Sequence, residues 1–311
     1  MGECLNCKDN KSLIPTTMLW HYTSISLLNE FLKPEAKLYA SHFAYVNDTQ
    51  DCRVATKILT KVMGERIQWW RGAMQIAAFE KLANEIDRGF FMPRFISCFS
   101  RAEDDLSQWR GYAPVRGVSI GFDEDALRAA IGTYILYPAR IVLQDCFYKT
   151  QQELNEEVNK TNVDIEEVLK KRACYRDFLN SYNDNGLIKE AKYTKEEATR
   201  LVAKFEHEWQ DSLYKAEESI FWKHSAFAAE KEVRLAVMFD GMLPVRNIDV
   251  VGDIPRVAVP LKCPMNSLIR RIVIGPSVCS SQDELLAMTL VRKYCLEVAV
   301  SKSPIPYRGR S

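Results

Sequence analysis

The 311-residue chain has no run of about 18 apolar residues, the length a helix needs to span a bilayer. It has almost no net charge: 42 Lys+Arg stand against 41 Asp+Glu, giving +1. That excludes a uniformly basic nucleic-acid binder and any global attraction to anionic membranes, though not a local basic groove. Histidine is scarce, with only His21, His42, His207 and His224, which is too few for a His-rich metal site. The first residues, MGECLNCKDNKSLIP, have neither an apolar core nor a cleavage site, so no signal peptide is expected there. Cysteine is present nine times, but the number is odd and the spacing shows no disulfide framework. Reduced thiols in a cytoplasmic protein are the expectation. Cys4 and Cys7 form a single C-x-x-C, so no metal is expected, with zinc completed by a distant Cys or His as the alternative.

What is present is ordinary globular composition, 47% hydrophobic and 27% charged, which excludes disordered, collagenous and coiled-coil chains. The length allows one large domain or two ordinary ones. No repeat or low-complexity tract interrupts it. Short β-type runs recur at Met18–Thr23, Lys37–Ser41, Arg94–Ser100, Gly117–Phe122, Arg140–Tyr148, Glu232–Phe239, Arg256–Leu261, Ile269–Gly275 and Cys295–Ser301. They do not alternate strictly with helices, so the expected class is α+β, with a mixed or antiparallel sheet flanked by helices. Helical spacing predicts Ser24–Leu32, capped by Thr23 or Ser24, Asp51 to about Ile86, and most of Gln151 to about Ala229. A last helix is expected to start at Ser281, with Glu284 completing a capping box, and to run to Tyr294.

Charge is unevenly spread. Residues 151–220 hold 11 Lys/Arg and 16 Asp/Glu, a balance of −5, and residues 221–311 hold 13 and 8, a balance of +5. This divides the chain into a tail over 1–17 and one sheet-based domain over 18–311. Residues 151–229 form a mostly helical insertion in it, read as a solvated helical face or a partner-binding lid.

Five motifs could carry chemistry. In Trp20-His21-Tyr22-Thr23 the His and hydroxyls at a strand end suit a sugar or phosphate contact, or a purely structural role. Tyr45-Val46-Asn47-Asp48 reads as a turn and N-cap. Ser97-Cys98-Phe99-Ser100-Arg101, a polar loop with Trp109 and Tyr112, and Gly117–Phe122 form a strand–loop–strand unit. Its aromatics either stack on a flat ring or cap the core. Lys223 and Glu230-Lys231-Glu232-Val233-Arg234 place Glu232 and Arg234 on one strand face, as an exposed ion pair or in a polar cleft. A carboxylate in such a cleft suits a reaction through a developing cation. Glu103-Asp104-Asp105 reads as a solvated loop run, which argues against a metal-dependent nuclease.

The ordered set resembles a prokaryotic family catalogued as domain-of-unknown-function family 2971. The matching pieces are Trp20–Thr23, Asn47-Asp48, Cys98-Phe99-Ser100, Trp109 with Tyr112, Gly117–Phe122, Lys223 with Glu230, Glu232 and Arg234, Ile272–Pro276 and Ser303–Arg308. That family is in turn similar to ADP-ribosyltransferases, an NAD-consuming fold with a split sheet. The resemblance implies that His21 contacts the NAD ribose and that Glu232 is the catalytic carboxylate. Tyr22, Trp109 or Tyr112 would be the nicotinamide platform, and Arg234, Lys223 and Arg101 would hold the pyrophosphate. Thr23, Ser100 and Glu230 complete the implied NAD contacts.

The leading expectation is therefore an NAD-dependent ADP-ribosyltransferase of toxin or anti-phage type. It would act on a nucleic acid or protein, with a regulatory or antitoxin partner. NAD glycohydrolysis at the same site and a non-catalytic nucleotide- or nucleic-acid-binding module are the alternatives. The enzyme readings require His21, Glu232 and an aromatic to meet at one pocket; on opposite sides of the sheet they would favour the binding module. The basic segment 221–311 is expected to share that cleft with His21.

Overall fold

The computed structural model describes residues 17–46, 93–133, 139–160, 214–239 and 245–306, with scattered helical positions within 54–60 and 196–207. Cys4, Cys7, Asn47, Asp48 and most of the expected helix from Asp51 lie outside the described residues, as does most of the insertion.

The strands are β1 (Met18–Ser24), β2 (Tyr39–His42), β3 (Arg94–Ser100), β4 (Gly117–Asp123), β5 (Ala139–Asp145), β6 (Phe147–Lys149), β7 (Trp222–His224), β8 (Glu232–Phe239), β9 (Ile248–Val251), β10 (Ile254–Ala258), β11 (Ile269–Ile274) and β12 (Ala299–Lys302). The main sheet runs β12-β11-β4-β1-β3-β2-β10-β9, with β8 and then β5 added on β3. All its pairings are antiparallel except β11 with β12, so the sheet is mixed, as expected. A separate parallel pair joins β6 to β7.

The registers around β3 set the shape. One edge of β3 pairs with β8 along its whole length, from Arg94↔Met238 to Ser100↔Glu232. The other edge is shared. Ser100 pairs with Trp20 of β1, and Phe95 and Ile96 pair with His42 and Ser41 of β2. Over Ser97–Phe99 neither β1 nor β2 pairs with β3, and the sheet is split there.

Alternation along the strands divides the interior. Leu19, Phe99, Ile120, Val233, Leu235 and Ile272 enter the main core on one face. That core is closed by α1 (Leu28–Leu32), α3 (Glu124–Ala130) and α5 (Ser280–Lys293). Among the described residues the opposite face carries two smaller clusters. Trp20, Tyr22 and Val273 pack under α2 (Leu106–Tyr112) through Trp109 and Ala113. Ile96, Ala236 and Met238 pack with Ile220 and Phe221. Burial on both faces explains why β8 is apolar almost throughout. It also corrects the exposed-ion-pair reading: Glu232 and Arg234 are 4% and 0% exposed.

Other expectations need correction. The aromatic loop is helix α2, because Asp105 caps it by accepting from the Ser107 and Gln108 amides. Ser281 does not cap the last helix. Cys279 occupies the cap without a side-chain bond, and the buried Asp283 is instead bound by Arg116. Ser24 does cap, over a 3-10 turn that precedes α1. The segment to Ala229 is not helical to its end, since β7 crosses it and pairs with β6; α4 (Gln151–Lys160) opens it. No described helix is long and apolar enough to cross a membrane, and among the described residues no disulfide forms.

Glycine has opposite meanings at two sites. A Cβ on Gly117 would lie 2.4 Å from Ala113 Cβ and 3.2 Å from the Trp109 ring, whereas a Cβ on Gly111 in α2 meets nothing within 4 Å. Gly117→Ala is expected to cost about 1–3 kcal/mol by overpacking. Gly111→Ala should gain about 0.5–1 kcal/mol from helix propensity. Chemical denaturation of the two variants checks both.

Candidate functional site

The split opens into a cavity of about 620 Å³ lined by His21, Thr23, Cys98, Tyr112, Lys223 and Glu232, among others. A smaller cavity of about 70 Å³ adjoins it and is lined by His21, Tyr22, Gln108, Tyr112, Glu230 and Glu232.

His21 stands at the gap. Its Nδ1 lies 2.9 Å from the carbonyl oxygen of Cys98, on the stretch of β3 that neither β1 nor β2 pairs with. A carbonyl only accepts, so Nδ1 carries the hydrogen. Burial holds the ring pKa below its ordinary 6.5 and the charge of Arg256 acts in the same direction, against the Cys98 bond. The imidazole is therefore neutral at pH 7, and Nε2 is an acceptor. The ring also packs on Phe31 and Phe99, at 5.3 and 5.8 Å between centroids.

On the far side of β3 lies a buried charge cluster. Lys223 Nζ donates to Glu230 Oε2 at 2.7 Å and to Glu232 Oε2 at 2.5 Å. Arg234 Nε donates to Glu232 Oε1 at 2.6 Å, and Arg234 Nη1 to the Ile220 carbonyl at 2.6 Å. Tyr112 OH donates to Glu230 Oε2 at 3.1 Å. The Glu232 amide donates to Tyr148 OH at 2.7 Å. Burial is the largest single influence on Glu232 and pushes its carboxyl up. The charges of Arg234 and Lys223 more than reverse this and hold it at about 2, against 4.5 ordinarily. A carboxylate offers about four lone-pair sites, and three contacts to Glu232 come from these two cations, leaving one for a ligand.

The registers Trp20↔Ser100 and Ser100↔Glu232 put Glu232 on the Trp20 face, and His21, one residue on, points to the opposite face. In an unbroken sheet the two would never meet. The split lets both line the same cavity.

Several sequence-expected residues lie elsewhere. Trp109 is 1% exposed, donates from Nε1 to Asp104 at 2.6 Å and packs edge-on to Tyr22, so it is a core residue and no platform. Tyr22 lines only the smaller cavity, and its hydroxyl is engaged with the Ala102 carbonyl and Asp105 amide at 2.8 and 3.1 Å. It positions the loop before α2. Arg101 is bound to Glu124 and Asp145 and faces neither cavity. Ser100, 1% exposed, donates to the Glu230 carbonyl at 2.7 Å and also faces neither. Arg234 is sealed beneath Glu232 and cannot reach a pyrophosphate. Tyr112 is the aromatic that lines both cavities. Glu103, Asp104 and Asp105 are held by protein partners, Asp105 as a cap and Asp104 by Trp109 and Ser303.

Sequence reasoning missed Tyr148, Gln108, whose amide donates to the Glu230 carbonyl at 3.3 Å, and Arg256. The signal for Arg256 was present as a lone charge opening the run Arg256–Leu261. The cavity does draw on the basic segment, through Lys223, Glu232, Val251, Arg256 and Met265.

Residues 108–235 match the family model described as Protein of unknown function (DUF2971). This is the family the ordered motifs resemble. The DUF2971 match takes in Tyr112, Lys223, Glu230, Glu232 and Arg234, while His21 and Arg256 fall outside it. No curated protein and no solved structure matches the chain.

Glu232→Gln is expected to cost about 3–5 kcal/mol at pH 7, because Lys223 and Arg234 lose a buried counter-charge. The carboxyl pKa is depressed on folding, so its contribution is present above about 4.5 and is lost as pH falls toward 2. Denaturant titrations at pH 7 and pH 3 should therefore show a smaller difference between wild type and variant at pH 3.

Proposed function

We propose that this cleft binds NAD and cleaves its nicotinamide–ribose bond, as an ADP-ribosyltransferase does, passing ADP-ribose to a nucleic acid or protein. The observation that carries this reading is the split at β3, through which His21, Tyr112 and Glu232 share one cavity. Departure of nicotinamide leaves positive charge on the ribose ring, as in glycoside hydrolysis. An ionised Glu232 supplies the opposing charge, and its remaining lone pair accepts from a ribose hydroxyl. Neutral His21 accepts from a second hydroxyl through Nε2. Tyr112 offers the flat surface for nicotinamide. The acceptor loses a proton as its bond to the ribose carbon forms, and nicotinamide leaves with the bonding electrons.

A second reading, a binding module that holds the nucleotide without cleaving it, is favoured by one observation. Glu232 is countered by two cations, Lys223 and Arg234, which temper its charge.

Incubation with NAD labelled in the nicotinamide ring, with and without nucleic-acid or protein acceptors, separates these readings. Nicotinamide release is expected from wild type, reduced about 100-fold or more in Glu232→Gln. His21→Asn serves as a variant outside the buried ion cluster, and Tyr112→Phe keeps the ring while removing only the hydroxyl bond to Glu230. Release without acceptor would mark a glycohydrolase. Binding of NAD without release under all conditions would overturn the transferase in favour of the binding module.

A further inference from the structure

Arg256 lines the large cavity and, like Lys33 and Lys37, stands outside the charge cluster. It sits mid-strand on β10, opposite Ser41 of β2 and Asp249 of β9. Its side chain lines the cavity, and its Nε is buried with no hydrogen-bond partner. A buried donor left unmade is costly, and a guanidinium has five donors to satisfy. The nearest acid along the register does not satisfy it. Asp249 instead accepts from Tyr39 OH at 3.0 Å and lies 4.0 Å from Lys37 Nζ. Among the described residues no carboxylate forms an ion pair with Arg256. The other cations that line the cavity have carboxylate partners: Lys33 has Glu30, Lys37 has Asp249, and Lys223 has Glu230 and Glu232.

The fold also fixes where this unmet donor points. The registers Arg256↔Ser41, Ser41↔Ile96 and Ile96↔Ala236 place Arg256 on the sheet face that carries Glu232, four residues farther along β8. On a flat sheet that is about 13 Å along the strands and about 14 Å across three strand spacings. A ligand meeting both ends is extended, on the scale of a diphosphate-linked nucleotide rather than a single sugar.

We propose that Arg256 anchors the phosphate oxygens of a nucleotide in this cavity, its guanidinium fork closing on them while Glu232 and His21 meet the sugar. Arginine forks suit phosphate geometry, and lysine cannot reproduce the two parallel bonds. The proposal rests on the nucleotide reading above and assigns to Arg256 the pyrophosphate contact that Arg101 and Arg234 are not placed to make.

Calorimetric titration of the full chain with ADP-ribose and with inorganic pyrophosphate, on wild type, Arg256→Met and Arg256→Lys, tests it. Wild type should bind ADP-ribose, and Arg256→Met should weaken that binding tenfold or more, with Arg256→Lys also weakened. The thermal midpoint of Arg256→Met should be unchanged or higher, because an unsatisfied buried donor is removed. Unchanged ADP-ribose affinity in Arg256→Met, or no binding by wild type, would overturn the assignment. Arg256-dependent binding of pyrophosphate with none of ADP-ribose would make the ligand a simple anion and overturn the nucleotide. The outcomes separate from those for cleavage. Arg256-dependent ADP-ribose binding in a protein that never releases nicotinamide keeps this site and discards the transferase. NAD cleavage with unchanged kcat/KM in Arg256→Met does the reverse.

Discussion

A strand has two edges, and β3 must serve three partners. With β8 occupying one edge in full, β1 and β2 divide the other, and a stretch of backbone is left between them. Buried backbone groups demand hydrogen bonds, so an opening of this kind survives only where side chains meet the need. His21 does so at the Cys98 carbonyl. One contact thus satisfies a carbonyl that faces the gap, fixes the imidazole tautomer and turns Nε2 away from that carbonyl. The cavity, and the meeting of residues from opposite sheet faces, follow from this arrangement.

The electrostatics are layered on that opening. Two carboxylates, Glu230 and Glu232, and two cations, Lys223 and Arg234, balance one another. Buried ion pairs are poor sources of stability compared with apolar packing, and one held with this many directed bonds reads better as a site than as a staple. Lys231, between the two carboxylates, adopts φ 45°, a left-handed conformation uncommon for a residue with a Cβ. Strain of that type concentrates where geometry is held for a purpose.

The sequence made the strands that carry the site legible, and for a physical reason. β1, β3, β4 and β8 lie centrally and are largely buried, so their runs hold few charged residues and their ends fall close to those expected. The pairing Glu232-x-Arg234 was visible as one face of a strand, but its burial was not. Burial depends on the segment Ile220–Lys223 folding back onto the pair and on β3 and β5 flanking β8, and alternation within β8 reports neither. Helix α2 was hidden because Ser107–Tyr112 is short, contains Gly111 and is rich in aromatics. Its start depends on a cap at Asp105 that reads equally well as a loop acid. Trp109 illustrates the remaining ambiguity. An aromatic beside a glycine suits a ligand platform or a core plug, and Gly117 and Gly275, which leave no room for a Cβ against the Trp109 ring, decide for the plug.

The strands β2, β10 and β9 form a wing beyond the split, and their backbone tie to β3 is two residue pairs, against seven for β8. What holds the wing at its angle is therefore mainly the seating of Leu38, Ala40, Val257 and Val259 in the main core. The width of the cleft is a property of side-chain packing rather than of a hydrogen-bond ladder. Apolar residues of the core, most of them outside the cavity lining, thus set the distance between Arg256 and Glu232. Core volume and cleft span are coupled quantities in this fold, and a lineage could retune one through the other at Ala40, Val257 or Val259 without altering a residue that lines the cavity.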